Sequence, residues 1–194
     1  MSIRIRSAQP SDYSVIKKIH DTYLLDVSKI KHPFYLSDVQ KQGFIVNTGQ
    51  NDLRDRISNS QIFDVIEKDN QIAGFIDINY ELYFPPTASN IIWFSQKLKS
   101  LYFNSSKTTV LHNIITSPNF KQQGIARKLV TNSFNKLKKL GIKNIFSIVT
   151  TAPVTNCPSI IFHTNLGFSR ACVTMPKTLF GLSNYQSLLF YKKI

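Results

Sequence analysis

At 194 residues, 42% of them hydrophobic, the chain is long enough to bury one good core and short for two. No apolar run approaches the ~18 residues of a membrane span, and residues 1 to 10 hold two arginines with no following secretory hydrophobic region, so an intracellular protein is expected. Lysine and arginine outnumber aspartate and glutamate 24 to 11; the resulting +13 draws polyanions, whether a phosphate cofactor, nucleic acid or an anionic membrane, yet by itself selects none of them.

In chain order, residues 3 to 7 read as a strand and 10 to 23 as a helix, with Ser11-Asp12 as N-cap and Tyr13, Ile16, Ile19, Tyr23 and Leu24 as its apolar stripe. The turn-rich stretch 26 to 60, with Lys31-His32-Pro33 and Asn47-Thr48-Gly49, predicts a short helix over 51 to 58. Residues 62 to 79 read as a hairpin turning at Glu67-Lys68-Asp69-Asn70. The connection from 80 to 108 is long and carries Phe84-Pro85-Pro86, Trp93, Phe94, Tyr102 and Phe103; its aromatics either fold over a site mouth or extend the core. Residues 109 to 116 are apolar and β-branched, a buried strand, and Ala126, Leu129, Val130, Ser133, Phe134 and Leu137 then recur at helical spacing up to a stop at Leu140-Gly141. Strands over 144 to 150 and 184 to 191 complete the pattern, with no repeats. Cys157 and Cys172 form no disulfide framework, and no Cys/His spacing suits zinc, so free thiols and no metal are expected. There is no RNA-recognition, zinc-finger or helix-turn-helix signature, which leaves nucleic-acid binding a minor reading.

Between the buried strand and the helix lies Ser117-Pro118-Asn119-Phe120-Lys121-Gln122-Gln123-Gly124-Ile125-Ala126-Arg127. At such a junction the first helical N–H groups lack partners inside the helix and the dipole is positive, so the amides converge on an anion, and Gly124 allows close approach. A P-loop would need Gly-Lys-Ser/Thr after four intervening residues, and a dinucleotide fingerprint would need glycine at position 122, which is Gln. Forty residues on comes Asn156-Cys157-Pro158-Ser159-Ile160-Ile161-Phe162-His163-Thr164-Asn165-Leu166-Gly167-Phe168.

Lys121-x-x-Gly124-x-Ala126 resembles the Arg/Gln-x-x-Gly-x-Gly/Ala loop of the GNAT acetyltransferase superfamily, and Asn156 with the closing Leu166-Gly167-Phe168 resembles its second signature. The resemblance is specific over residues 109 to 169 and weaker at the first strand, first helix and hairpin. It implies a single α/β domain over 1 to 194, with a mixed sheet of about six to seven strands flanked by helices and splayed between strands 4 and 5. Residues 24 to 60 and 81 to 108 would supply acceptor-site elements.

It further implies acetyl-CoA as cosubstrate, its pyrophosphate held by Lys121, Gln122, Gln123, Gly124, Ile125, Ala126 and Arg127. Ile114, Ile115 and Thr116 would contact pantetheine and thioester through the backbone, and Asn156 would hydrogen-bond the pantetheine arm. An ammonium must lose a proton before attacking a thioester, and the thiolate gains from an acid. The family's usual Glu base falls at His112 and its usual Tyr acid at His163, two of the four histidines in the chain. An imidazole, unperturbed near pH ~6.5, serves either task, though structural histidines are the competing reading. Asn113 is a possible orienter, Tyr185 a substitute acid, and Asp64, Asp77 and Glu81 possible amine ligands whose default is a solvated strand edge. An acyl-cysteine at Cys157 is the minor route. The expected activity is direct acetyl transfer to an unidentified primary amine of a small molecule or peptide. The alternative is an acyl-CoA-binding sensor or interaction module, and a basic nucleic-acid-binding protein comes third.

Overall fold

The computed structural model describes residues 2–46 and 53–194. Among these, β1 (Ile3–Ser7), β2 (Ile62–Lys68) and β3 (Gln71–Asn79) form an antiparallel meander, and β4 (Ile91–Trp93), β5 (Thr108–Thr116), β6 (Asn144–Ala152), β7 (Ser169–Thr174), β8 (Lys177–Leu179) and β9 (Leu182–Lys193) complete a nine-stranded sheet ordered β1-β2-β3-β5-β6-β9-β7-β4, with β8 beside β9. The sheet is mixed: β5 and β6 are parallel and every other named pairing is antiparallel. It exceeds six to seven strands because β4 and β8 are three-residue pieces too short to announce themselves in sequence. The hairpin turns where expected, with Asp69 and Asn70 both at positive φ (49° and 63°), the backbone that a two-residue turn matched to strand twist demands.

Strand alternation sorts the core into two layers. Ile66, Ile76, Leu111, Ile145 and Phe190 face α5 (Ile125–Lys139) and α6 (Cys157–Asn165), whose Leu129, Val130, Leu137 and Phe162 meet them. Their neighbours Val65 and Phe75 face α1 (Tyr13–Asp21) and α3 (Leu53–Asn59), while Val110, Phe146 and Leu189 face α4 (Gln96–Asn104). α2 (Pro33–Gln42) packs Val39 with Leu25, Phe44, Leu182 and Tyr185 in a smaller cluster.

Of the two readings of the long connection, its aromatics take the second: Trp93, Tyr102 and Phe103 pack in the core with α4, Tyr102 fully buried, while Phe94 is exposed. Asp12 holds the N-cap position of α1 but makes no side-chain cap bond there: its carboxylate accepts from the Gln9 amide (2.7 Å) and pairs with Arg6 (2.6 Å), bracing the 3₁₀ turn Pro10–Asp12. The short helix expected over 51 to 58 is α3; Asn51, Asp52 and the Asn47-Thr48-Gly49 turn lie outside the described residues.

Candidate active site

β5 and β6 are hydrogen-bonded partners only from Thr108↔Asn144 to Leu111↔Ser147, after which they diverge. The other edge of β5 stays paired to β3 as far as Gly74↔Thr116. That pairing has a bulge: Asp77 faces Asn113 and Ile78 faces Leu111, leaving His112 as the extra residue. A bulge adds local twist and re-aims one side chain, and here it coincides with the start of the divergence. The result is a cleft of ≈ 670 Å³ between the two strands, whose walls include Ile114, Thr116, Val149, Thr150, Asn156 and Tyr185.

At the open end the polar turn behaves as its composition predicts. Gln122 (φ 61°) and Gly124 (φ 74°) take left-handed backbone, turning the chain so that α5 begins at Ile125 with its amino end at the cleft. A Cβ built on Gly124 meets nothing within 4 Å, so the space above this amide is free for a ligand. Lys121 and Gln122 line the cleft with Ala126, and the Lys121 ammonium sits 5.0 Å from the Tyr23 ring centroid. Three expected contacts point elsewhere by side chain: Ile125 is in the main core, Ile115 packs in the α1 cluster, and Gln123 bonds Lys68. Arg127 is exposed beyond the cleft lining. Ile125 can offer a ligand only its backbone, and the backbone of Ile115 is itself paired with Phe75 of β3, which corrects the expected contact there. Asn156 caps α6, accepting from Ser159 N (3.3 Å) and donating to Phe44 O (2.8 Å), which fixes its amide at the wall.

Tyr83, unassigned from sequence, organises the bulge. Its hydroxyl donates to Leu111 O (3.0 Å) and its ring lies 4.7 Å from that of His112. His112 Nε2 is 3.0 Å from Glu81 O; a carbonyl accepts only, so Nε2 carries the proton and Nδ1 the lone pair. Burial, reinforced by the nearby Arg56 guanidinium, pulls His112 down to about 3. It is neutral near pH 7.

His163 is buried at 2% exposure, stacked on Phe190 (5.2 Å) and edge-on to Phe168 (5.0 Å). Its Nδ1 donates to Ser159 O (2.7 Å), the carbonyl one turn back, so Nε2 is an unprotonated acceptor, buried and without a partner among the described residues. Burial lowers its pKa further. As placed, His163 offers a lone pair and no proton. Tyr185 lines the same wall, its hydroxyl 3.3 Å from Thr150 Oγ1.

Neither aspartate is a solvated strand edge. Asp64 (1% exposed) sits between Lys136 (2.7 Å) and Asn132 (3.2 Å) of α5, away from the cleft, and is a packing pair. Asp77 (0%) is paired with Arg56 (2.5 Å) and receives Ser60 Oγ (2.8 Å) and Asn113, so these groups form a buried polar cluster behind His112. Asn113 thus orients Asp77. Glu81 is exposed at the cleft rim. Cys157 is exposed and Cys172 buried, its thiol pushed up to about 12. Among the described residues no His, Cys, Asp and Glu group is placed to hold a metal, and no helix is long and apolar enough to cross a membrane.

The acetyltransferase (GNAT) family model matches residues 24–168. The chain belongs to the GNAT acetyltransferase family. No curated protein sequence matches this GNAT chain. Solved structures share its fold: a probable acetyltransferase from Staphylococcus epidermidis ATCC 12228 (TM-score 0.64, 10% identity, 99% of each chain) and the PaiA N-acetyltransferase from Thermoplasma acidophilum in complex with coenzyme A (0.60, 17%, 100% of each). So does the ribosomal-protein-S18-alanine N-acetyltransferase from Escherichia coli (0.58, 16%, all of this chain and 94% of the other).

Proposed function

We propose that this GNAT protein transfers acetyl from acetyl-CoA directly to a primary amine of a small molecule or peptide, in the cleft between β5 and β6. One observation supports this most: the bulge at His112, the divergence of β5 from β6 and the amino end of α5 all open onto one cleft. The free space over Gly124 and the left-handed turn before it suit a pyrophosphate, with Lys121, Gln122, Gln123, Gly124, Ile125, Ala126 and Arg127 supplying amides and two cations. Main-chain groups of Ile114 and Thr116, which turn to the edge facing β6 while those of Ile115 between them pair with Phe75 of β3, pair with the pantetheine arm and place an amide at the thioester oxygen. Asn156 borders that arm.

His112 accepts the amine proton on Nδ1 as the C–N bond forms. A base near 3 cannot strip a free ammonium, whose pKa lies several units higher, so the acceptor enters as the minor neutral amine and loses its proton after attack acidifies it. Tyr185 is the hydroxyl placed to protonate the departing thiolate, and His163 holds a ligand N–H through Nε2. The test is thiol release from acetyl-CoA across a panel of amines and peptides with wild type, His112→Ala, Tyr185→Phe and His163→Phe. We expect turnover with some acceptors, lost in the first two variants and largely kept in the third. Tight coenzyme A binding without turnover on any amine would favour an acyl-CoA-binding module, a reading that the neutral, weakly basic His112 also suits.

A further inference from the structure

Every one of the 11 acidic residues lies between Asp12 and Glu81; residues 82–194 contain lysine and arginine and not one aspartate or glutamate. The sheet order turns this into a spatial division. Among the described residues every carboxylate side chain lies on β2, β3, α1, α2, α3 or the turns that join and flank them, while β4 to β9 with α4, α5 and α6 bear none. Of the cations in this second half, Lys136 alone among the described residues has a carboxylate partner. The helix dipole accounts for only part of this pattern: Lys136, Lys138 and Lys139 occupy the last turn of α5, where cations are favoured, but Arg127 and Lys128 occupy its first turn, with no acid there, where they are not.

The charge is densest where β5 and β6 begin. Lys107 O accepts both Lys143 N (2.9 Å) and Asn144 N (3.0 Å), Lys193 is the register partner of Asn144, and α5 ends there with Lys138 and Lys139. All five lysines are exposed. This is the closed end of the strand pair; the cleft begins four residues further along each strand, at Leu111 and Ser147, roughly 13 Å away, and opens at the other end.

We propose that Lys107, Lys138, Lys139, Lys143 and Lys193 form a docking site for the phosphate backbone of nucleic acid, separate from the cleft. Lysine ammonium groups read phosphate and not base edges, so docking is independent of sequence. The positive surface continues onto both faces of the sheet, through Lys97 and Lys99 on α4 and Lys128 on α5, which pack on opposite layers. A bending polyanion can follow such a surface, whereas a flat bilayer meets one side of it. Docking would hold the enzyme at an RNA- or DNA-bearing assembly with its cleft facing outward.

The test measures fluorescence anisotropy of the full chain with labelled RNA and DNA duplexes of ~20 base pairs, from 50 to 200 mM salt, with anionic phosphatidylserine vesicles as a third arm. Five phosphate contacts predict a loss of affinity of about two to three orders of magnitude across that range. Changing all five lysines to Gln should flatten the log–log salt slope by about 4 and leave coenzyme A affinity and thermal unfolding unchanged. Lys29→Gln with Lys31→Gln, on the acid-bearing half, should alter nothing. Preference for RNA over DNA, or equal binding, supports the site and distinguishes its source. Unchanged nucleic-acid binding by the five-site variant, or binding to vesicles with none to either duplex, overturns it.

Discussion

His112 is held by two contacts that are remote in sequence, the Glu81 carbonyl and the Tyr83 ring, and lies in the field of the Arg56 guanidinium. His112→Ala should lower kcat by ~10², the lower end of the worth of a positioned proton acceptor because a base near 3 lies far from the operating pH, with unchanged coenzyme A affinity by calorimetry. Because the imidazole stays neutral down to about 3, kcat/KM should show no acid limb near 6.5 and should rise with pH as the acceptor ammonium deprotonates. A limb near 6.5 that vanishes in His112→Ala would contradict this assignment. Gly124→Glu is expected to abolish coenzyme A binding, since φ of 74° strains any Cβ and a carboxylate would occupy the space offered to phosphate. Unchanged affinity in the folded variant would remove the cofactor assignment.

At the scale of elements, the cleft depends on how closely β3 holds β5. A Cβ on Gly74 would lie 2.6 Å from Ile115 O and 3.3 Å from Thr116 Cα, backbone atoms that cannot step aside without shifting β5. Gly74→Ala should destabilise by about 1–3 kcal/mol in urea unfolding, as overpacking does, and should weaken coenzyme A binding because the displaced strand supplies its backbone contacts. Gly124→Ala, at a left-handed position (φ 74°) but with open space around it, should cost less stability. Equal costs at the two sites would mean that β5 is softer than its pairing suggests.

For the molecule as a whole, the buried His163 and the half-buried His112 make stability pH-dependent before most carboxylates respond. Both pKa values are lowered on folding, so as pH falls below 6.5 the unfolded chain takes up protons that the folded one refuses. Their contribution is complete above 6.5 and is lost on acidification towards about 3; Asp12 and Asp21, lowered by Arg6 and Lys17, add to the loss below 3.8. Asp77, raised by burial, opposes it. Wild type should therefore lose stability between pH 7 and pH 5, and His163→Phe, which keeps the stack on Phe190 without the titrating ring, should lose less. Parallel urea midpoints for the two proteins at both pH values would show that His163 does not titrate on unfolding.

The sequence by itself determined the longer strands, α5 and the glycine turn before it, because these are local: β-branched runs, helical spacing, a glycine at a left-handed turn and an Asn at a helix start act over a few residues, whereas α2, α4, β4 and β8 carry no such local signal. Residues 109 to 168 folded as their pattern required, with Gly124 as the N-cap of α5 and Asn156 of α6. What stands beside His112 was decided by tertiary structure alone, since Tyr83, Glu81, Arg56 and Asp77 reach it only after β3 pairs with β5. The same holds for His163, whose position in the second signature suggested an acid. The helix carbonyl at Ser159 takes its Nδ1 proton and the rings of Phe168 and Phe190 bury the rest. Burial and hydrogen-bond partners set a titrating group's chemistry, and those come from strands and helices that meet in space, not from the residues beside it in the chain.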